Sequence, residues 1–104
     1  MNCKLFKQGA IYELRIGPEK RKVMVLTNNV FNKGAIFIPC CPISNTYFNN
    51  PMRIPLDGHN LITTGYLLLD QIRGFDLAAR DPVYVEDIPQ ELLEEIIALF
   101  LLSF

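Results

Sequence analysis

From Ala10 to Leu77 the chain offers only short apolar or alternating stretches, each closed by glycine, proline or asparagine, and one helix-length pattern follows at the end. That order admits few folds: strands this short must pair with one another, and the closing helix must lie against them. AIYELR (Ala10 to Arg15) alternates and is rich in β-formers, which predicts a strand. Gly17-Pro18 breaks it, and the charged residues up to Lys22 predict a loop. VMVLT (Val23 to Thr27) is continuously apolar, as expected of a strand buried on both faces. Asn28 to Gly34 predicts a turn with room for one helical turn. AIFIPCC (Ala35 to Cys41) is the next strand, with Pro39 marking an edge or a bulge. Pro42 to Pro51 is polar and loop-like. Met52 to Pro55, Thr63 to Asp70 and Ile72 to about Leu77 are further strands, and Gly74 is a candidate bulge.

The helix spans Pro89 to about Leu101. Pro89 suits a first-turn position, and Glu91, Glu94 and Glu95 lie toward the favourable end of the dipole. Its C-terminal half (Ile96, Ile97, Leu99, Phe100, Leu101, Leu102) is apolar nearly all round, so it must be covered on more than one side. With 104 residues there is one domain, residues 1–104, and no second one to house a cofactor. A domain of this size buries a modest fraction of its surface. The apolar helix end therefore predicts a homodimer. The expected architecture is mostly β, α+β in class: a small antiparallel barrel with a C-terminal helix.

The net charge of −1 conceals an uneven distribution. Glu86, Asp87, Glu91, Glu94 and Glu95 hold five of the eleven acids, which leaves ten Lys/Arg against six acids before Glu86, a balance of +4. Lys20, Arg21 and Lys22 form a compact basic run. A basic body beside an acidic helix can present a positive groove to phosphate; a solvated loop and a solvated helix face explain the same charges equally well. The cysteines are Cys3, Cys40 and Cys41. Neighbours in a strand point to opposite faces, so Cys40 and Cys41 are poor disulfide partners. An odd, sparse set without ligand spacing predicts reduced core thiols in a cytoplasmic protein and no metal site. The start, MNCKLFKQGAIYEL, lacks the pattern of a secretory signal. The longest apolar run, Ile96 to Leu102, falls far short of the roughly 20 residues that cross a bilayer.

Five segments occur in a telling order: KQGAIYEL (Lys7 to Leu14), VMVLTNNVFN (Val23 to Asn32), CPISN (Cys41 to Asn45), MRIPLDG (Met52 to Gly58) and TTGYLLLDQIRGFDLAAR (Thr63 to Arg80). Within the last, DQIRGFD (Asp70 to Asp76) is the most specific. Together they resemble the MazF/PemK family of toxins, including its Kid branch, over nearly the whole chain. The resemblance implies an SH3-like barrel that pairs into a homodimer. It also implies a metal-independent endoribonuclease, without cofactor, that cuts single-stranded RNA and is restrained by a cognate antitoxin. A ribose 2′-oxygen would attack the adjacent phosphate, leaving a 2′,3′-cyclic phosphate and a 5′-hydroxyl. Such a reaction needs a proton acceptor, a proton donor and groups that steady charge on phosphorus.

Residue by residue, Arg21 takes the position of the family's catalytic arginine, a planar fork suited to the scissile phosphate. With Lys20 and Lys22 adjacent, the alignment also tolerates a slip of one. Ser44 stands at the family's threonine, keeping the hydroxyl; a turn serine bonding its own backbone explains it equally. Asp70 matches the Kid branch's aspartate and is a candidate base if burial raises its pKa, or a carboxylate paired with backbone or Arg73. Lys20, Lys22, Asn45 and Arg73 are the implied RNA contacts, although Arg73 could instead pair with Asp70 or Asp76. His59, in Asp57-Gly58-His59-Asn60, reads as a turn residue. The segment Ile16 to Lys22 is shorter than the family's usual loop and carries Lys22 where proline is usual. Leu68 falls at the Kid arginine. A family member that binds without cutting is therefore the alternative. Gyrase poisoning, as in the related CcdB toxins, depends on a tryptophan-containing end, and this chain has no tryptophan.

Overall fold

The computed structural model describes residues 5–47 and 49–102; Cys3 lies outside them. Seven strands and two helices follow in the order β1 (Ala10–Ile16), β2 (Glu19–Val25), α1 (Asn29–Gly34), β3 (Ile38–Ser44), β4 (Arg53–Pro55), β5 (Tyr66–Leu68), β6 (Arg73–Phe75), β7 (Val83–Asp87) and α2 (Gln90–Leu101). Short 3-10 turns at Leu69–Gln71 and Leu77–Arg80 flank β6. All pairings are antiparallel, and the ladder runs β4-β5-β3-β2-β1-β7, with β6 on β3 as well. The mostly-β unit with a C-terminal helix is thus as expected. The sheet is not closed by hydrogen bonds between its terminal strands β4 and β7. A side chain bridges the gap instead: the Glu86 carboxylate on β7 accepts from the backbone N–H groups of Ile62 (3.0 Å) and Thr63 (2.7 Å) and from the Thr63 hydroxyl (2.7 Å), in the β4–β5 loop.

Alternation along the central strands builds two cores. Ile11, Met24, Cys41 and Leu67 face α2 and pack with its Leu92, Leu93 and Ile96. Tyr12, Leu14, Val23, Val25, Ile38 and Cys40 face the other way, onto Phe6, Phe75 and Leu77. The uninterrupted run at Val23 to Leu26 follows from this, since both faces of β2 are covered there. Cys40 and Cys41 are free thiols on opposite faces, buried enough to push each pKa up to about 12. Burying a side chain such as Ile96 or Met24 is worth about 1.5–3 kcal/mol, and both are fully enclosed. Within one chain α2 is covered on one face only. Leu101 and Leu102 stay 63% and 81% exposed, so the cover that the sequence demands for them is not supplied by this sheet.

Besides a later start of β3, at Ile38 rather than Ala35, and a shorter β6, four differences from the sequence expectation shape the sheet. The charged stretch after Pro18 is strand, not loop: β2 begins at Glu19, joined to β1 by the two-residue turn Gly17-Pro18, with Ile16 opposite Glu19. Charge did not prevent pairing because the outer half of this hairpin needs no burial. Second, β3 runs on through Pro42 to Ser44 and is the hub of the sheet rather than an edge. Its prolines are tolerated by position. The Pro39 carbonyl accepts from the Leu26 N–H just past the end of β2, so the absent proline N–H lies where that ladder stops. By alternation Pro42 faces the boundary where the neighbour of β3 changes from β6 to β5. Third, the strand expected from Thr63 to Asp70 is confined to Tyr66–Leu68, and Asp70 sits in a 3-10 turn. Fourth, Val83–Asp87, for which the sequence predicts no strand, forms β7 and pairs with β1; Pro82, just before this edge strand, costs no ladder bond.

Candidate active site

The β2–β3 ladder is short. Pairing runs from Val25 with Cys40 to Val23 with Pro42, and then the strands part: β2 continues outward paired only with β1, while Ile43 and Ser44 turn to β5. Carried on, the register would set Arg21 opposite Ser44. Instead the parting opens a groove of about 520 Å³ between them. Glu13 on β1 and Glu19, Lys20, Arg21 and Lys22 on β2 form one wall. Ile43, Ser44, Asn45 and, from the β4–β5 loop, Thr64 form the other.

The floor of the second wall depends on one glycine. Gly65 has φ +106°, and a Cβ there would stand 2.5 Å from the Ser44 carbonyl oxygen and 3.0 Å from Asn45 Oδ1. The absence of a side chain lets the two backbones touch, and this brings the Thr64 hydroxyl to within 3.0 Å of Asn45 Oδ1, to which it donates. Ser44 Oγ accepts from the Thr46 N–H at 3.2 Å, so the turn-serine reading of the sequence is realised. That contact uses an oxygen lone pair and leaves the hydroxyl proton available to a ligand.

Three cations and two carboxylates line the groove. Arg21 is engaged with Glu19: its Nε and Nη2 donate to one carboxylate oxygen at 3.0 and 2.6 Å, with both side chains 59% exposed. A pair so open to water is worth about 0–1 kcal/mol, so an incoming phosphate can compete for the guanidinium. Lys22 lies near Glu86. Partial burial opposes ionisation of Glu86, but hydrogen bonds from the Thr63 side chain, the Ile62 and Thr63 N–H groups and the field of Lys22 outweigh it, holding its pKa below the usual carboxylate value.

The fold therefore gathers Lys20, Arg21, Lys22, Ser44 and Asn45 around one groove. Asp70 and Arg73 do not line it. Asp70 Oδ2 faces Arg53 Nη2 at 3.4 Å and Asn50 Nδ2 at 3.5 Å, so its partner is Arg53 rather than Arg73. The Arg73 guanidinium stacks on the Phe75 ring, 5.2 Å from its centre. His59 is in the β4–β5 loop, outside the groove. Glu13, Glu19, Ile43 and Thr64 were not singled out from the sequence. The signal for Glu13 and Glu19 was the hairpin itself: once Gly17-Pro18 is read as a two-residue turn, both acids fall beside the basic run. Among the described residues no cluster of histidine, cysteine or carboxylate side chains is arranged to hold a metal ion, and no helix is long and apolar enough to cross a membrane.

Comparison with solved structures gives close matches in fold. A MazE–MazF complex from Deinococcus radiodurans is 22% identical, with TM-score 0.83 over 97% of this chain and 98% of that one. An endoribonuclease in complex with its cognate antitoxin from a mycobacterial species is 16% identical, with TM-score 0.82 over 94% and 93%. The Mycobacterium tuberculosis toxin MazF-mt6 is 16% identical, with TM-score 0.73 over 90% and 93%. Comparison with curated proteins gives no significant match. The sequence itself matches the family described as the PemK-like, MazF-like toxins of type II toxin–antitoxin systems over residues 7–104. With that match spanning nearly its whole length and the fold to go with it, the chain belongs to the MazF/PemK toxin family.

Proposed function

We propose that the protein is a metal-independent endoribonuclease that cuts single-stranded RNA in the cytoplasm, works as a homodimer and is held in check by a cognate antitoxin. The observation that carries this reading is the groove of about 520 Å³ that Lys20, Arg21 and Lys22 line together with Ser44 and Asn45. Arg21 leaves Glu19 to hold the non-bridging oxygens of the scissile phosphate, and the Ser44 hydroxyl donates to the same group. The neighbouring ribose 2′-oxygen attacks phosphorus, the bond to the 5′-oxygen breaks, and one proton is taken from the nucleophile while another is given to the leaving oxygen. Lys20 and the Asn45 amide bind the flanking strand. Arg73 meets backbone phosphate further along. Asp70 stands outside the groove with its carboxylate already accepting from Arg53 and Asn50, so proton transfer falls to groove residues. The exposed Leu101 and Leu102 at the end of α2 belong to the surface that a second copy covers.

The test is an unstructured RNA incubated with purified protein in EDTA, with the new ends mapped. Cleavage to 5′-hydroxyl ends that disappears in Arg21→Ala is the expected result; full activity in that variant removes Arg21 from the mechanism. Sedimentation as a monomer at micromolar concentration would refute the dimer. A second reading, a family member that binds without cutting, is favoured by the Glu19–Arg21 pair and by a two-residue turn too short to cover the groove. Robust cleavage in EDTA eliminates it.

A further inference from the structure

We infer that Glu13 is the base that takes the 2′-hydroxyl proton and that Lys22 is the acid that protonates the leaving 5′-oxygen. This rests on the ribonuclease reading above and assigns the two proton transfers that reading leaves open. The groove contains no histidine, and its two carboxylates are Glu13 and Glu19. Glu19 lies beside the turn with its side chain 59% exposed, and it holds Arg21 through two contacts on one oxygen until a phosphate takes the guanidinium. The Glu13 carboxylate has no hydrogen bond or ion pair among the described residues, although the residue is half-buried and lines the groove. A half-buried carboxylate with free lone pairs facing a polar groove is available to accept a proton from a ligand.

The acid follows from the register. Glu13 on β1 and Lys22 on β2 are direct antiparallel partners, so their side chains leave the same face of the sheet. One carboxylate and one ammonium thus stand side by side along the length of the groove. A phosphodiester lying across this pair would meet the carboxylate with its attacking oxygen and the ammonium with its leaving oxygen, which in-line displacement places on opposite sides of phosphorus. Lys20 is paired with Arg15 near the turn and is exposed, which suits a phosphate contact better than proton transfer. The charged groups around the dyad are Glu19, Lys20 and Arg21 on β2, Arg15 on β1, Asp81 before β7, and Glu86 on β7 beside Lys22. The bookkeeping of protons closes. The 2′-hydroxyl proton passes to Glu13, the P–O5′ bond breaks as the 2′-O–P bond forms, and a Lys22 proton completes the 5′-hydroxyl. Solvent then returns the proton from Glu13 to Lys22.

The experiment uses the full chain, a chimeric oligonucleotide with one ribonucleotide at a site cut by the wild type, and the all-deoxy version as a binding probe. Glu13→Gln should slow single-turnover cleavage about 100-fold or more, lose the acidic limb of the pH–rate profile, and bind the all-deoxy probe as the wild type does. Lys22→Met should lose a similar factor on the ordinary substrate. It should recover to within a few-fold of wild type when the leaving oxygen is replaced by sulfur, which departs without a proton; Glu13→Gln should not recover. A Glu13→Gln rate within a few-fold of wild type, or loss of probe binding in that variant, overturns the base assignment. Failure of the sulfur substrate to rescue Lys22→Met overturns the acid. If the wild type cuts and the variants do not behave in this way, only this inference falls. If the wild type cuts nothing, the ribonuclease reading falls with it.

Discussion

Replacing Gly65 with alanine should damage both the stability of the fold and the second wall of the groove. The new Cβ would stand 2.5 Å from the Ser44 carbonyl oxygen and 3.0 Å from Asn45 Oδ1, and the first of these is backbone that cannot rotate away. Its φ of +106° is also unfavourable for any side chain. Backbone strain of this kind costs about 1–3 kcal/mol and forced overpacking a further 1–3 kcal/mol or so, giving a loss of about 2–6 kcal/mol. A domain of this size loses roughly 4–8 °C of melting temperature per kcal/mol, so a fall of about 10 °C or more is expected. Gly58→Ala is the internal control: its φ is +85°, but nothing lies within 4 Å of the added Cβ. That change should cost only about 1–2 kcal/mol. Urea titrations of the two variants measure the difference directly. Because relief of the clash must push Ser44 and Asn45 outward, Gly65→Ala should also weaken binding of a deoxy-oligonucleotide, while Gly58→Ala leaves it unchanged. Equal stability losses in the two variants would refute the claim that backbone contact between Gly65 and Ser44 shapes the groove.

Glu19→Gln frees Arg21 from an exposed ion pair, so stability should change by less than about 1 kcal/mol while affinity for a single-stranded oligonucleotide rises and becomes more salt-dependent; fluorescence anisotropy across a salt series measures both. Glu86 has its folded pKa below its unfolded value, so its stabilising effect is complete above about pH 4.3 and is lost as pH falls through the folded value. Glu86→Gln should accordingly cost about 1–3 kcal/mol at neutral pH, and the gap from wild type should close on acidification, as followed by urea unfolding at several pH values. Cys40 and Cys41, buried with pKa values pushed up to about 12, should resist alkylation at pH 8 until the chain is unfolded, which peptide mapping by mass spectrometry can follow.

Which parts of this protein could be read directly depended on whether the deciding contact was local. AIYELR, VMVLT and the α2 segment declare themselves because burial leaves a period of two, an unbroken run or a helical stripe in the sequence. The opposite placement of Cys40 and Cys41 follows from strand geometry alone. The charged half of β2 was hidden because strand formation there is driven by pairing with β1 across Gly17-Pro18, not by burial of its own side chains. Likewise Pro39 and Pro42 carry an edge-strand signature, yet they sit in the hub because their missing N–H groups fall at a ladder end and at a change of neighbour.

The candidate site divides in the same way. Arg21, Ser44 and Asn45 were legible through ordered motifs, and the basic run through composition. Nothing in the linear order says that Asp70 turns to Arg53 or that Thr64 donates to Asn45. The sequence by itself determined the class of fold, the two buried faces of the central strands and the family, because these rest on side-chain periodicity and local turn chemistry repeated along the chain. The tertiary structure alone decided the groove, because it arises where β2 and β3 part after three paired residues and where Gly65 lets two backbones touch. Those are distances between segments far apart in the chain, and local residue preferences do not encode them.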